Sequence, residues 1–365
     1  MQVTSGSGCM TSRRLGANHV TAGDCASGPE QGMIMVVHLQ KPQQGKCMPT
    51  KCAVLDDYQH AATRFADWTS LGGQVELTVF PDHLTGEDAV AERLAGFDVV
   101  VLMRERTPFP ASLLARLPRL KLLVTTGMRN ASIDLEAARR QGVTVCGTAS
   151  NSTPPAELTW ALILGLARHL VPEATALRNR GPWQHSVGTD LQGATLGLLG
   201  LGKIGSQVAR VGTAIGMAVI AWSANLTAER AEATGARLAA SKEELLGEAD
   251  VVSIHLVLSE RTRGLLGAPE LALMKPTAHL VNTSRAAIVD RTALLDALVQ
   301  GRIAGAGLDV FEEEPLPAAS PFRDLPNVLA TPHLGYVTEK NYGTFFPQVV
   351  EDIQGFLAGA PPRML

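Results

Sequence analysis

Three polar side chains close apolar, strand-like runs in the second half of this 365-residue sequence: Arg285 ends HLVNTSR, Glu314 stands near the end of GLDVFEEEP, and His333 ends VLATPH. A histidine ionises near neutral pH, so it can take a hydroxyl proton and return it. A carboxylate beside it fixes the ring tautomer and stabilises the imidazolium, a role that suits Glu314. An arginine offers a planar fork to a carboxylate and polarises an adjacent carbonyl, which suits Arg285. Together the three describe an acid/base site for a 2-hydroxy or 2-oxo acid. Each alone has an ordinary reading as a strand-end histidine, a surface arginine or a solvated acidic turn. Their placement on successive strand ends is what points to chemistry.

A second cluster lies upstream, in GATLGLLGLGKIGSQVARVGTAIGMAVIAWSANLT, residues 193–227. A strand-like run ends on Gly200, a helical pattern follows Gly205, and a second strand-like run ends at Trp222, so the glycine spacing sits inside a complete strand–helix–strand unit. Gly200 permits a tight turn, Gly202 lets the backbone approach a pyrophosphate, and Gly205 lets helix and strand pack closely. The phosphates belong on the helix N-terminus, where free N–H groups and the macrodipole favour negative charge. The second strand ordinarily delivers an acid to the adenosine ribose. Here Ser223-Ala224-Asn225 stands in its place. Loss of the carboxylate removes the charge that would repel a 2′-phosphate, and Ser223, Asn225 and Thr227 can all donate hydrogen bonds to one, which tilts the choice between NAD and NADP toward NADP. No arginine follows Ser223 directly, and Arg230 would have to fold back.

The elements that must position these groups come in two alternating series. CAVLDDYQ, VELTVF, DVVVLM, KLLVTT and VTVCGT alternate with helical patterns, and so do TLGLLG, MAVIAW, VVSIHL, AHLVNTS, AGAGLDV and NVLATPH. Such alternation predicts parallel sheets covered by helices, an α/β chain of two doubly wound domains. One long, mostly buried helix over 151–171 is expected to bridge them. In the helix that follows the glycine turn the spacing predicts Ile204, Val208, Val211 and Ile215 on one face. The thirty residues after His333 are too few for a further domain and are expected to pack back on the first. The predicted organisation is a disordered N-terminal extension over 1–49, in which only MIMVVHL is a short apolar run, a substrate domain of 50–150 plus 334–365, and a nucleotide domain of 151–333 inserted into it. Met48 is a candidate initiator.

Composition bounds the partners. The chain is 45% hydrophobic with a net charge of −3, and no Lys/Arg run of the kind that follows a phosphate backbone occurs, so nucleic acid is not expected. No stretch reaches the roughly 18 apolar residues of a membrane span. Cys9, Cys25, Cys47, Cys52 and Cys146 are scattered without metal-site spacing, which suits a reducing, cytoplasmic compartment. Arg13-Arg14 is not followed by the apolar core that export requires.

The motifs LGLLGLGKIG, LMKPTAHLVNTSRAAIVD, GLDVFEEEPLP and TPHLG, in this order, resemble those of the D-isomer-specific 2-hydroxyacid dehydrogenases, and the similarity runs from CAVLDDYQ to near the C-terminus. The resemblance implies a Rossmann-type NAD(P)-binding domain inserted into a flavodoxin-like substrate domain, and interconversion of a D-2-hydroxy acid and its 2-oxo acid. It implies His333 as acid/base, Glu314 as its partner and Arg285 on the substrate, with no metal. It also implies Lys203 and Ile204 at the pyrophosphate turn, Asp309 near the nicotinamide carboxamide with Thr283 and Ser284 alongside, and Gly335 at the cofactor. By the same resemblance TTGMRNASID holds the substrate carboxylate through Gly127 and Met128, and RERT supplies Arg104. A homodimer is implied as well. Departures are Ala286-Ala287 after the arginine, a strand-end HLVLSERT without the usual proline, and Ser223. Glyoxylate or hydroxypyruvate reduction, phosphoglycerate oxidation and reduction of bulkier 2-oxo acids all stay open. Glutamate at 314, where formate dehydrogenases carry glutamine, sets that relative aside. A nucleotide-sensing scaffold of the corepressor kind is the alternative from another class.

Overall fold

The computed structural model describes the backbone of Met35–Val37 and residues 48–365. The described residues divide into two compact units, one running to Thr148 and resuming at Phe346–Leu365, the other Ala149–Phe345.

The first unit holds β1 (Met35–Val37), β2 (Thr50–Val54), β3 (Val75–Val79), β4 (Val99–Leu102), β5 (Leu122–Thr125) and β6 (Thr144–Gly147), in spatial order β1-β3-β2-β4-β5-β6. All pairings are parallel except β1 on β3. β4 and β5 are buried at every position. That is why, but for Thr125 at the end of β5, they read as continuous apolar runs rather than alternating ones: helices cover both faces of a parallel sheet. On one face Val90, Ala91 and Leu94 of the helix Glu87–Leu94 meet Val100, Leu102 and Leu123 in a single core. Met35–Val37, in the apolar run MIMVVHL of the N-terminal extension, is a strand. Residues 1–34 and 38–47, with Cys9, Cys25, Cys47 and Arg13-Arg14, lie outside the described residues.

The chain's last residues close the free edge of β6. Gly147 donates its N–H to Arg363 O at 2.9 Å, and Leu365 donates to Val145 O at 2.9 Å. Arg363 Nε lies 3.1 Å from Oδ1 of Asp352, a carboxylate with no exposed surface. An edge covered in this way offers no free ladder for another chain.

The second unit holds β7 (Thr195–Leu199), β8 (Ala218–Trp222), β9 (Arg237–Leu238), β10 (Val251–Ile254), β11 (His279–Asn282), β12 (Gly305–Leu308) and β13 (Val328–Ala330), all parallel, in order β13-β12-β11-β10-β7-β8-β9. β9 is one strand more than the sequence reading expects. The order reverses between β7 and β10, so a crevice opens outside the carboxyl ends of these strands, where ligands of doubly wound sheets bind.

Two helices differ from expectation for physical reasons. The predicted helix over 151–171 is two helices, Thr153–Ala167 and Leu170–Arg178, separated by His169 in the left-handed region at φ 49°. Pro172 has no N–H to give Arg168 and its ring would crowd that carbonyl, so one continuous helix is excluded. Asn151 Oδ1 caps the first of them, accepting from Thr153 N at 3.0 Å. In the helix Lys203–Ala214 the buried face is Gly205, Val208, Ala209 and Gly212, while Val211 and Ile215 are exposed. A methyl group on Gly212 would lie 2.8 Å from Leu196 Cδ2: the glycines, not the large apolar residues, set the face that meets the sheet. The first unit resumes at Phe346 rather than at residue 334. Asn341 Nδ2 donates to Tyr336 O at 2.9 Å while its Oδ1 accepts from Asn151 N at 2.9 Å, which ties this stretch into the second unit.

Burial pushes the Asp352 carboxyl up to about 6, against the pull of Arg363. The folded chain therefore keeps a proton that the unfolded chain has already released, so this group's contribution to stability is greatest in acid and is lost as the pH rises through the folded value. The melting temperature of wild type relative to Asp352→Asn is expected to fall between about pH 4.5 and about pH 7.5. A difference that stays constant or grows over this range contradicts the assignment.

Candidate active site

The turn that carries His333 is built around one carboxylate. Asp309, immediately after β12, has no exposed surface. Its Oδ1 accepts from Thr331 Oγ1 and from Leu334 N, both at 2.7 Å, and its Oδ2 accepts from Gly335 N at 2.8 Å. These bonds clamp the chain on both sides of His333, which sits in the left-handed region at φ 52°. A non-glycine residue persists there only where its surroundings fix it. A methyl group on Gly335 would lie 3.1 Å from Asp309 Oδ2, so glycine suits the close approach. Burial raises the Asp309 carboxyl, and the hydrogen bonds from Thr331 and the turn N–H groups, with the His333 charge, oppose that rise.

His333 Nδ1 and Glu314 Oε2 are 2.6 Å apart, with both side chains partly buried. Glu314 is itself held, because its Oε1 accepts from Phe311 N at 2.8 Å. The His333 ring also packs edge-on to Tyr336, with centroids 5.6 Å apart.

Arg285 leaves β11 through a short polar loop. Asn282 is buried at the strand end; its Oδ1 accepts from Ser284 N and its Nδ2 donates to Arg285 O, both at 3.0 Å. Thr283 Oγ1 pairs with Thr159 Oγ1 at 2.9 Å, Ser284 Oγ donates to Leu256 O, and the Arg285 guanidinium donates to Ser284 O at 2.8 Å. Sequence reading named Thr283, Ser284 and Arg285 but missed Asn282 and Thr331, which shape the backbone that presents them. The available signal was a buried polar residue at the end of an apolar strand, which has to hydrogen-bond inward.

At the switch point Gly200 has φ 100°. A methyl group on it would lie 2.6 Å from His255 O, and one on Gly205 would lie 2.2 Å from Gly200 O. Gly202, the residue preceding Lys203 at the helix start, has nothing within 4 Å of where its Cβ would be. Two of the glycines are thus demanded by the chain's own packing, and the third leaves an open face before Lys203 and Ile204, as a phosphate cradle at a helix N-terminus needs. The residues present fit a dinucleotide. Beside this turn His255 Nε2 pairs with Ser253 Oγ at 2.9 Å, and burial pushes the ring down to about 4, so it adds no charge at neutral pH. Beyond β8, Ser223 O accepts from Leu226 N at 3.0 Å, and Thr227 Oγ1 accepts from Arg230 N at 3.3 Å. Ser223 is partly buried, whereas Asn225 and Arg230 are exposed.

In the first unit, Arg104, Gly127 and Met128 come together at the ends of β4 and β5. Arg104 donates from NH1 to Thr126 O at 2.9 Å and has φ 55°. Gly127 has φ 111°, and a methyl group there would lie 1.9 Å from Arg104 NH1. Met128 is exposed.

The profile of the D-isomer specific 2-hydroxyacid dehydrogenase NAD-binding domain matches residues 160–335, which include the glycine turn, Ser223, Arg285, Asp309, Glu314 and His333. The glyoxylate reductase of Aeropyrum pernix is 42% identical over 69% of this chain and 78% of its own length. The chain belongs to the D-isomer specific 2-hydroxyacid dehydrogenase family. The glycerate dehydrogenase of Methylorubrum extorquens is 32% identical over 82% of this chain and 98% of its own length. The D-3-phosphoglycerate dehydrogenase of Methanocaldococcus jannaschii is 38% identical, and the chain covers 54% of it. Among solved structures, phosphoglycerate oxidoreductase from Vibrio cholerae O395 superposes with a TM-score of 0.81 at 39% identity, covering 86% of this chain and 100% of that one. This D-2-hydroxyacid dehydrogenase is therefore an NAD(P)-binding oxidoreductase that acts on CH–OH groups. No helix among the described residues is long and apolar enough to cross a membrane.

The glycines of this dehydrogenase predict two different failures. Gly205→Ala forces backbone apart and should lower both the melting temperature and NAD(P)H affinity, the latter by roughly tenfold or more. Gly202→Ala meets no chain atom within 4 Å, so it should weaken NAD(P)H binding while leaving the melting temperature unchanged. Titration by cofactor fluorescence with parallel melting curves separates the two; loss of stability in Gly202→Ala, or normal affinity in Gly205→Ala, contradicts the account.

Proposed function

We propose that the chain reduces a small 2-oxo acid, of the glyoxylate or hydroxypyruvate class, to the D-2-hydroxy acid, with NADPH preferred over NADH. The observation that carries the reading is the 2.6 Å pairing of His333 Nδ1 with Glu314 on a turn clamped by buried Asp309. Pairing through Nδ1 commits the other ring nitrogen, Nε2, to the substrate oxygen, where it donates a proton in reduction and accepts one in oxidation. Glu314 stabilises the imidazolium, and Arg285 receives the substrate carboxylate and polarises its carbonyl. The bound nicotinamide supplies or accepts the hydride. Asp309 acts as a positioning residue for His333, and Thr283, Ser284 and Gly335 shape the same rim. Gly200, Gly202, Lys203, Ile204 and Gly205 form the pyrophosphate turn. Arg104, Gly127 and Met128 are the substrate loops of the first unit.

A small substrate is supported by the near full-length match to a glycerate dehydrogenase and the match to a glyoxylate reductase. The chain spans about half of the phosphoglycerate dehydrogenase it matches, and phosphoglycerate is the second reading. The NADP preference rests on Ser223 in place of an acid, with exposed Asn225 nearby. A homodimer is supported by the helix Leu170–Arg178, which buries none of its residues and exposes Leu170, Val171 and Leu177, and by exposed Trp183 and Val187 just beyond it. The free, buried thiols of Cys52 and Cys146 suit a reducing cytoplasm.

Following NADPH and NADH absorbance against glyoxylate, hydroxypyruvate, 2-oxoisovalerate and 3-phosphohydroxypyruvate tests the reading. The expected result is turnover of one of the first two with a higher kcat/KM for NADPH, and a loss of ~10²–10⁴-fold in His333→Ala with cofactor binding intact. Clear NADH preference removes the cofactor assignment. No oxidation of either cofactor by any of these acids removes the enzyme reading.

A further inference from the structure

Within the first unit, the loop that follows β5 rests on the end of β6, where two neighbouring residues receive it. Thr148, directly after β6, has no exposed surface. Its N–H donates to Thr125 O at 3.1 Å, and its Oγ1 accepts from Gly127 N at 2.9 Å. Gly147 lets the loop lie close: a methyl group there would stand 2.7 Å from Gly127 O and 3.2 Å from Met128 Cα. One residue thus admits the loop backbone, and the next takes its N–H.

This seat is held in turn. Gly147 donates to Arg363 O, and the Arg363 side chain is anchored on Asp352 at 3.1 Å, on Glu351 at 2.9 Å and on Gln348 O at 2.8 Å. At the other end of the loop Asn130, a buried residue, donates from Nδ2 to Thr125 Oγ1 at 2.9 Å and to Arg104 O at 2.7 Å. Between these two fixed ends the backbone donors divide into two kinds. Thr126 N–H is spent on Leu102 O at 3.0 Å, and Gly127 N–H on Thr148. The N–H groups of Met128 and Arg129 meet no acceptor among the described residues, and both residues are exposed.

An N–H already bonded inside the protein has little left to give a ligand, whereas one without an internal acceptor must be taken up by water or by a ligand. We propose that Thr148 is a positioning residue for substrate binding: by taking up the Gly127 N–H it fixes this loop so that the N–H groups of Met128 and Arg129 are the backbone donors left for the substrate carboxylate. Gly127 then contributes its backbone conformation, φ 111°, and not its N–H. The proposal rests on the reading of this segment as a substrate loop, whereas the hydrogen bond from Gly127 to Thr148 does not.

Thr148→Val keeps the shape of the side chain and removes its oxygen, so the two roles open to the Gly127 N–H predict opposite signs. If Thr148 positions the loop, KM for glyoxylate and hydroxypyruvate rises roughly fivefold, as loss of one hydrogen bond predicts, with kcat and NADPH affinity little changed. Thr148→Ser, which keeps the oxygen, should restore the wild-type KM. A fall in KM, the sign expected if the freed N–H joined the substrate, overturns the proposal, and so does an unchanged KM or a matching loss of NADPH affinity. Amide hydrogen exchange at Gly127, read by NMR on the full chain, needs no turnover. This amide should be protected in wild type and in Thr148→Ser, and should exchange roughly tenfold faster or more in Thr148→Val. A Gly127 amide that exchanges freely in wild type overturns the proposal, even if Thr148→Val does not fold. A wild type that shows the protection yet turns over no 2-oxo acid upholds the bond and removes the enzymatic reading instead.

Discussion

The buried carboxylate of Asp309 is the constraint on which the rest of the site depends. Three donors from the turn Thr331–Gly335 converge on its two oxygens. A carboxylate taken out of water needs such partners, and removing them would leave an unpaired buried charge, so the end of β12 and the turn after β13 are fixed to each other. His333 occupies a strained backbone region between these anchor points. Glu314 then meets it from the loop after β12, its other oxygen already held by Phe311 N. The proposed acid/base pair is thus assembled from chain segments whose separation is set by Asp309.

The glycine turn works by the opposite means, through the absence of side chains. Gly200 and Gly205 are required because neighbouring backbone stands where a Cβ would go, while Gly202 has no chain atom within 4 Å of where its Cβ would be. Both devices lie at the carboxyl ends of parallel strands, the glycine turn at β7 and β10, and Arg285, Glu314 and His333 at β11 to β13. The chain order of the sheet, reversing between β7 and β10, places them side by side in one unit.

Much of this was legible in the sequence, for identifiable reasons. The parallel strands announce themselves because a strand buried on both faces is apolar over most of its length, as β4 is throughout and β5 and β10 are apart from Thr125 and Ser253. The polar residues that interrupt such runs at their ends mark the site. What was not legible depends on distance in space. The stripe of Ile204, Val208, Val211 and Ile215 obeys helical periodicity, yet Gly205 and Gly212 define the face against the sheet, because close approach favours the smallest residues. Pro172, visible in the sequence, breaks the helix that apolar content alone would extend. The acceptor role of Asp309 toward Thr331, Leu334 and Gly335 spans more than twenty positions, and no local pattern reveals it. The two-residue β9 has too little hydrophobic pattern to stand out. The Thr148 hydroxyl reads as an ordinary strand-end group until Gly127, 21 positions earlier, is seen to donate to it.

Whether Asp309 serves the reaction through His333 can be measured directly by a double-mutant cycle on kcat/KM for 2-oxo acid reduction, using Asp309→Asn, His333→Ala and the pair. If the carboxylate acts by placing the histidine, Asp309→Asn alone should lower the rate by roughly a hundredfold or more and should cost nothing further once His333 is gone. Losses that multiply in the double variant would contradict this account and show that Asp309 acts on the reaction independently of His333.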